Sequence, residues 1–162
     1  MVNNGKIDDN LKARHSKGVG IVNQIMSVLK EVSFGPYYFQ MALMFRNSQL
    51  INGTLYNMGA LHGVKNNHLD IIEECDKMLF RQIFDCPQGT PVEAFFFETS
   101  TLPLRFILQG RRLMYLWTIL KKPNTELVRQ VYKAQKQFKT KGSWAEQIED
   151  DLKICEIDLT NE

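Results

Sequence analysis

Residues 103–123 read PLRFILQGRRLMYLWTILKKP, and the assignment of this stretch decides the fold class. Proline at 103 suits the first turn of a helix, where its missing N–H costs no hydrogen bond, and Lys121-Lys122-Pro123-Asn124 is a stop. At 100° per residue Phe106, Gly110, Leu113, Trp117 and Leu120 share one narrow face. Leu104, Ile107, Leu108, Met114, Tyr115 and Ile119 cover most of the rest. The expectation is a helix buried nearly all round, with Arg105, Gln109 and Arg112 as its polar strip. Arg111 then lies among apolar neighbours, and a guanidinium in that setting needs an anion. The anion is either an internal carboxylate, Glu93 and Glu98 being nearest in sequence, or a phosphate of a bound strand. Arg111 is expected to form a structural ion pair with those glutamates, whereas Arg105 and Arg112 stay open between the two.

Helical signals continue on both sides. Val22, Ile25, Leu29 and Val32 are spaced three, four and three, a helix stripe. Asn3-Asn4-Gly5 is a turn signal, Lys6 to Lys17 has only Ile7, Leu11 and Ala13 to bury, and Gly18 and Gly20 loosen the turn before the stripe. This helix is expected to start weakly and firm up after Gly20. Pro36 opens a second helix whose residues Tyr37 to Phe45 are apolar on nearly every side, which predicts a central position. Asn57 to Gly63 breaks it. Asn66 or Asn67 caps a third helix with Leu69, Ile72, Leu79 and Ile83 inward and Glu73, Glu74 and Lys77 outward. Thr90-Pro91-Val92-Glu93 reads as a capping box before a short helix through Phe95, Phe96 and Phe97. Asn124 or Thr125 caps a helix to about Phe138, with Leu127, Val131, Ala134 and Phe138 inward and Arg129, Lys133 and Lys136 on the opposite side. Ser143-Trp144-Ala145-Glu146 is a second capping box. No run of alternating β-branched residues occurs. The expectation is an all-α fold, one compact domain of six or seven helices with short loops, divided into a helical body at 1–142 and an acidic helix and tail at 143–162 packed on or next to it.

Charge is segregated along the chain. Thr101 to Lys141 holds ten basic residues against Glu126 alone, a local balance of +9, although the whole protein is only +2. Lysines and arginines attract a polyanionic backbone, and the interleaved aromatics offer stacking surfaces, so nucleic acid is the first partner to test. Ser143 to Glu162 reverses the sign, with seven acidic residues against Lys153. Two solvated faces of opposite sign are the plain alternative.

Composition bounds the rest. A chain of 162 residues, 44% of them hydrophobic, supports one real core. Three cysteines, Cys75, Cys86 and Cys155, form an odd set without a CxxC pair, which fits neither a disulfide scaffold nor a standard zinc site. Without a basic-then-apolar leader, and with the longest apolar run broken by Gly35, Pro36 and Gln40, the expectation is an intracellular protein, nuclear or cytoplasmic, neither secreted nor membrane-bound. His15, His62 and His68 are scattered and none stands at metal-ligand spacing, so no metal or cofactor is expected. Gly18-Val19-Gly20 lacks the third glycine and the preceding strand of a phosphate cradle. Cys75 and Cys86 read as core or boundary residues. No enzyme emerges from these residues.

In order and spacing, several segments resemble the part of non-LTR (LINE-like) retrotransposon reverse transcriptases that lies beyond the polymerase palm. They are Asn4-Gly5-Lys6, Asn10-Leu11-Lys12-Ala13-Arg14, Lys17-Gly18-Val19-Gly20-Ile21-Val22-Asn23-Gln24-Ile25, Arg46-Asn47-Ser48 and Leu50-Ile51-Asn52-Gly53. Further along come Thr90-Pro91-Val92-Glu93-Ala94, Glu98, Leu102-Pro103-Leu104-Arg105-Phe106-Ile107 and Arg111-Arg112-Leu113. The resemblance implies that the body at 1–142 is a thumb-like module that holds template RNA or an RNA–DNA hybrid against the palm through phosphate contacts, which position a strand without reading its sequence. The contacts expected are Arg105, Arg112, Arg129, Lys133, Lys136, Lys139 and Lys141. The palm's metal-binding Asp-Asp motif has no match: Asp8-Asp9 and Asp150-Asp151 stand in polar surroundings and read as surface charge. The chain therefore resembles a non-catalytic piece of a longer polymerase, whose further expected partners are the missing palm and, through the apolar surface the palm would cover, a second copy. The competing expectation is a helical protein-interaction or remnant domain that binds no nucleic acid.

Overall fold

A computed structural model describes residues 4–61, 64, 66–138 and 141–157. Among them the chain is all-α: α1 (Asn4–Leu29), α2 (Pro36–Phe45), α3 (Ile51–Leu55), α4 (Asn66–Phe84), α5 (Val92–Glu98), α6 (Leu104–Leu120), α7 (Leu127–Gln137) and α8 (Trp144–Ile154). A π-helical turn at Arg46–Leu50 fuses α2 and α3 into one continuous body, and a 3-10 turn spans Met58–Ala60. The chain divides into two compact units, Met1–Tyr56 with Lys65–Arg105 and Asn57–Val64 with Phe106–Glu162. The boundary expected at residue 142 is thus displaced. Trp144, Ala145 and Ile148 of α8 share a core with Leu116 and Ile119 of α6 and Tyr132 of α7, so the acidic helix is integral to the second unit.

In the first unit α1 lies along α4. Its buried stripe is Leu11, Val22, Ile25 and Leu29, and it is one unbroken helix from Asn4. Gly18 does not loosen it. A Cβ there would stand 2.7 Å from Cys75 Sγ and 3.0 Å from Thr54 Cγ2, so the glycine permits close helix approach. Arg14 Nη1 donates to the carbonyls of Thr54 and Tyr56 at 2.9 and 2.7 Å, satisfying the end of α3.

The core of this unit comprises Val22, Ile25, Leu29, Tyr38, Ala42, Leu50, Cys75, Leu79 and Ile83. The helix from Pro36 is not central: it buries only Tyr38 and Ala42 fully, and Tyr37 is 78% exposed. The central helix is α4, which also buries two charges that its spacing does not announce. Arg46 Nε and Nη2 donate to the two Asp76 oxygens at 2.6 Å each, beneath the rings of Phe80 and Phe96. Burial pushes the Asp76 carboxyl above the usual carboxylate range, with the Arg46 fork pulling the other way. Glu73, expected outward, is buried as well.

Helix starts differ from expectation: α4 already includes Asn66 and Asn67, the two expected caps, and α5 and α7 differ as well. Pro91, not Thr90, occupies the cap position of α5, and no side chain caps it, since proline carries no side-chain acceptor; the Thr90 amide meanwhile donates to Pro87 O. Likewise α7 begins at Leu127 after a turn closed by Glu126 N–H on Pro123 O, so neither Asn124 nor Thr125 is its cap. The box at Ser143 does form. Ser143 Oγ accepts from Glu146 N at 3.2 Å, and Glu146 Oε2 accepts in return from Gly142 N, one residue ahead of the cap.

Candidate nucleic-acid interface

The basic residues of 101–141 separate into those held internally and those left in water. On α6 the fully buried stripe is Leu104, Leu108, Arg112, Leu116 and Ile119. The helix is not buried all round: Phe106, Gly110, Met114 and Trp117 are exposed on its opposite side. Arg112 sits in the middle of the buried stripe. Its Nε and Nη2 donate to Asp151 Oδ2 and Oδ1 at 2.6 and 2.8 Å, a bidentate pair with both partners buried. Phosphate contact by Arg112 is therefore overturned: its donors face inward and are occupied. Asp151 is likewise not the surface charge it was expected to be.

Arg105 is held in the first unit. Glu73 Oε1 accepts from its backbone N–H at 3.1 Å and from Nε at 2.9 Å, while Nη2 donates to Glu73 Oε2 and to Asp70 Oδ1 at 2.5 and 3.0 Å. The Glu73 hydrogen bonds raise the guanidinium pKa further above its ordinary value, so the charge is fixed. The expected phosphate contact gives way here to a carboxylate clamp. Arg111 is half-buried, and Glu93 and Glu98 are exposed on α5. Arg112, one residue along, forms a buried pair with Asp151.

α7 is turned about a third of a revolution from the predicted orientation. Its inner face is Val128, Tyr132 and Gln135. The Tyr132 ring meets Trp144 edge-on at 5.9 Å, and Gln135 Oε1 accepts from Ala145 N at 3.3 Å. Leu127 is consequently 73% exposed and Phe138 74%, with Val131 exposed between them, so the predicted inner face points outward. Arg129 swings to the end of α6, where Nη1 donates to the carbonyls of Leu120 and Lys122. It too leaves the set of free cations.

Lys121, Lys133, Lys136 and Lys141 remain exposed, with Lys122 half-buried. Lys133 Nζ donates to Asn124 Oδ1 at 2.8 Å in the α6–α7 turn, and Lys121 Nζ stands 4.8 Å over the Trp117 ring. Lys139 lies outside the described residues, as does His62. Sequence reasoning missed Asp151, Glu73 and the Trp117–Lys121 pair. The first had a signal, since Arg112 and Asp151 each interrupt an apolar stripe at helical spacing. These lysines can hold phosphates in water, and the Trp117 ring stands beside one of them, Lys121.

Other chemistry is sparsely furnished. Among the described residues no three His, Cys, Asp or Glu side chains converge as a metal site. Cys75 is buried, its Sγ–H directed to His15 O, and burial pushes its thiol up to about 11. A groove of about 360 Å³ in the first unit is lined by His15, Val19, Glu74, Met78, Arg81, Gln82 and Gln88. There Arg81 is turned to Glu74 at 3.4 Å. No helix among the described residues is long and apolar enough to cross a membrane. Compared with protein-family models, with curated proteins and with solved structures, the chain finds no match in any of the three.

Proposed function

We propose that this chain is a non-catalytic helical module that binds template–primer nucleic acid, RNA or an RNA–DNA hybrid, through phosphate contacts, in the manner of the thumb-like region of a retroelement polymerase. The observation that carries the reading is the set of lysines in this stretch that stay exposed to water while its arginines turn inward: Lys121, Lys133, Lys136 and Lys141. The ordered motif resemblance supports the class of partner and, with it, a nuclear or cytoplasmic location for this reading. Such contacts act by counterion release, so affinity depends on salt before it depends on sequence.

The test is binding of an RNA–DNA hybrid at several salt concentrations. Four phosphate contacts give a log–log slope of about −3 to −4. Absence of binding at low salt, or affinity indifferent to salt, removes the reading. Replacing Lys133 and Lys136 by glutamate weakens binding to all sequences alike.

A second reading is favoured by one observation. The acidic helix α8 packs on α6 and α7 and Asp151 takes Arg112, while Leu127, Val131 and Phe138 stay exposed on α7. That suits a protein-interaction module whose partner covers the α7 stripe. An oligomer in solution that ignores RNA selects it.

A further inference from the structure

Phosphate contact alone leaves Trp117 unexplained. It is 47% exposed, on the side of α6 opposite the buried stripe, whereas Trp144, the other tryptophan of the chain, is buried with Nε1 donating to Gly59 O at 2.7 Å. Lys121 Nζ lies over the Trp117 ring, and the bonds of Arg129 to Leu120 O and Lys122 O and of Lys133 to Asn124 tie the start of α7 to the same corner. Phe138 is a second exposed ring, two residues after Lys136 and three before Lys141. Rings in water among solvated lysines are the two parts of a single-strand platform: the cations track the backbone and the rings take base faces. A duplex keeps its base faces inside the stack. An exposed indole therefore gains contact only from a base that is unpaired.

We propose that Trp117, with Lys121 beside it, is a stacking platform for an unpaired base, so that this surface takes single-stranded nucleic acid, or the single-stranded extension of a hybrid, in preference to blunt duplex. The inference rests on the nucleic-acid reading above and narrows its partner. The base lies on the indole face and the Lys121 ammonium moves to the adjoining phosphate. Stacking of a base on an aromatic ring outweighs an exposed cation–π contact, so the exchange is favourable.

Three probes test it at low salt: an oligouridylate of about twelve nucleotides, within the range of one single-strand site, a blunt RNA–DNA hybrid, and the same hybrid with a single-stranded extension. Affinity and tryptophan emission are recorded for each. Trp144 is sealed in the core, so quenching on binding reports Trp117. The oligouridylate and the extended hybrid bind about tenfold tighter than the blunt hybrid and quench the emission. Trp117→Leu, which keeps apolar bulk at an exposed position and removes the π-face, loses about that factor for unpaired strands and leaves blunt-hybrid binding unchanged. Equal affinity for blunt and unpaired probes, with the leucine variant neutral, overturns the platform and leaves the phosphate grip standing. Failure of all three probes to bind overturns both.

Discussion

Arg112 and Asp151 each occupy a position that helical spacing gives to an apolar residue, and each is tolerable only because the other is there. Removing one partner strands a buried charge, so Asp151→Asn or Arg112→Met destabilises by about 3–5 kcal/mol. The double replacement Arg112→Met/Asp151→Leu returns close to the parent, because two apolar side chains need no mutual charge. Urea denaturation of the three variants checks this. Cys75 makes a separate prediction. With its thiol raised to about 11, roughly one molecule in a thousand carries the thiolate at pH 8, and the group is buried. Alkylation under native conditions therefore modifies exposed Cys155 first and leaves Cys75 until the chain unfolds. The same raised thiol gives stability a pH dependence of definite sign. Below about 9 both folded and unfolded thiols are protonated and stability is untouched. Between about 9 and 11 only the unfolded thiol ionises, so stability falls as pH rises, by roughly 2–3 kcal/mol in all.

Within the helices, two glycines of α1 separate propensity from packing. Gly20 has nothing within 4 Å of a built Cβ, so Gly20→Ala stabilises by about 0.5–1 kcal/mol through helix propensity. Gly18 would set its Cβ 2.7 Å from Cys75 Sγ, and Gly18→Ala destabilises by about 1–3 kcal/mol as α1 is pushed off α4. Thermal unfolding of both variants reads the contrast. Most helices were legible from spacing and breaks and the Ser143 cap from its spelling, whereas α5 was placed by a box at Thr90 that does not form and the π-helical turn at Arg46–Leu50 had no signal. Orientation was less legible. On α7 the stripe Leu127–Val131–Ala134–Phe138 competes with Val128–Tyr132–Gln135, and periodicity cannot rank them. The contact of Tyr132 with Trp144 decides, together with the Arg129 bonds to the end of α6. Several stops were illegible for a similar reason. Asp85, Ser100 and Glu156 take the left-handed conformation that glycine usually supplies, held by Cys86 N–H on Arg81 O, Thr101 N–H on Phe96 O and Ile157 N–H on Leu152 O.

For the molecule as a whole, the local balance of +9 overstates the charge that this stretch presents to water. Arg105, Arg112 and Arg129 are spent on Glu73, Asp151 and backbone carbonyls and Arg111 is half-buried, so the exposed cations of the stretch are lysines. The triple replacement of Lys121, Lys133 and Lys136 by glutamate changes side chains that are exposed, two of which make a contact at the α6–α7 corner. It gives up the Lys133–Asn124 bond and the Lys121–Trp117 contact and sets acids at two helix C-termini, so stability falls by about 1–2 kcal/mol, while salt-sensitive nucleic-acid binding falls much further; calorimetry beside a binding titration checks both halves. By itself the sequence determined the all-α class, the approximate helices and the segregation of charge, because these are properties of neighbours along the chain: apolar period, caps, breaks and local charge. Only the tertiary structure decided which side of each helix faces in and which cations remain in water. Two apolar stripes on one helix differ little in local terms, and a guanidinium chooses between phosphate and carboxylate according to a partner tens of residues away.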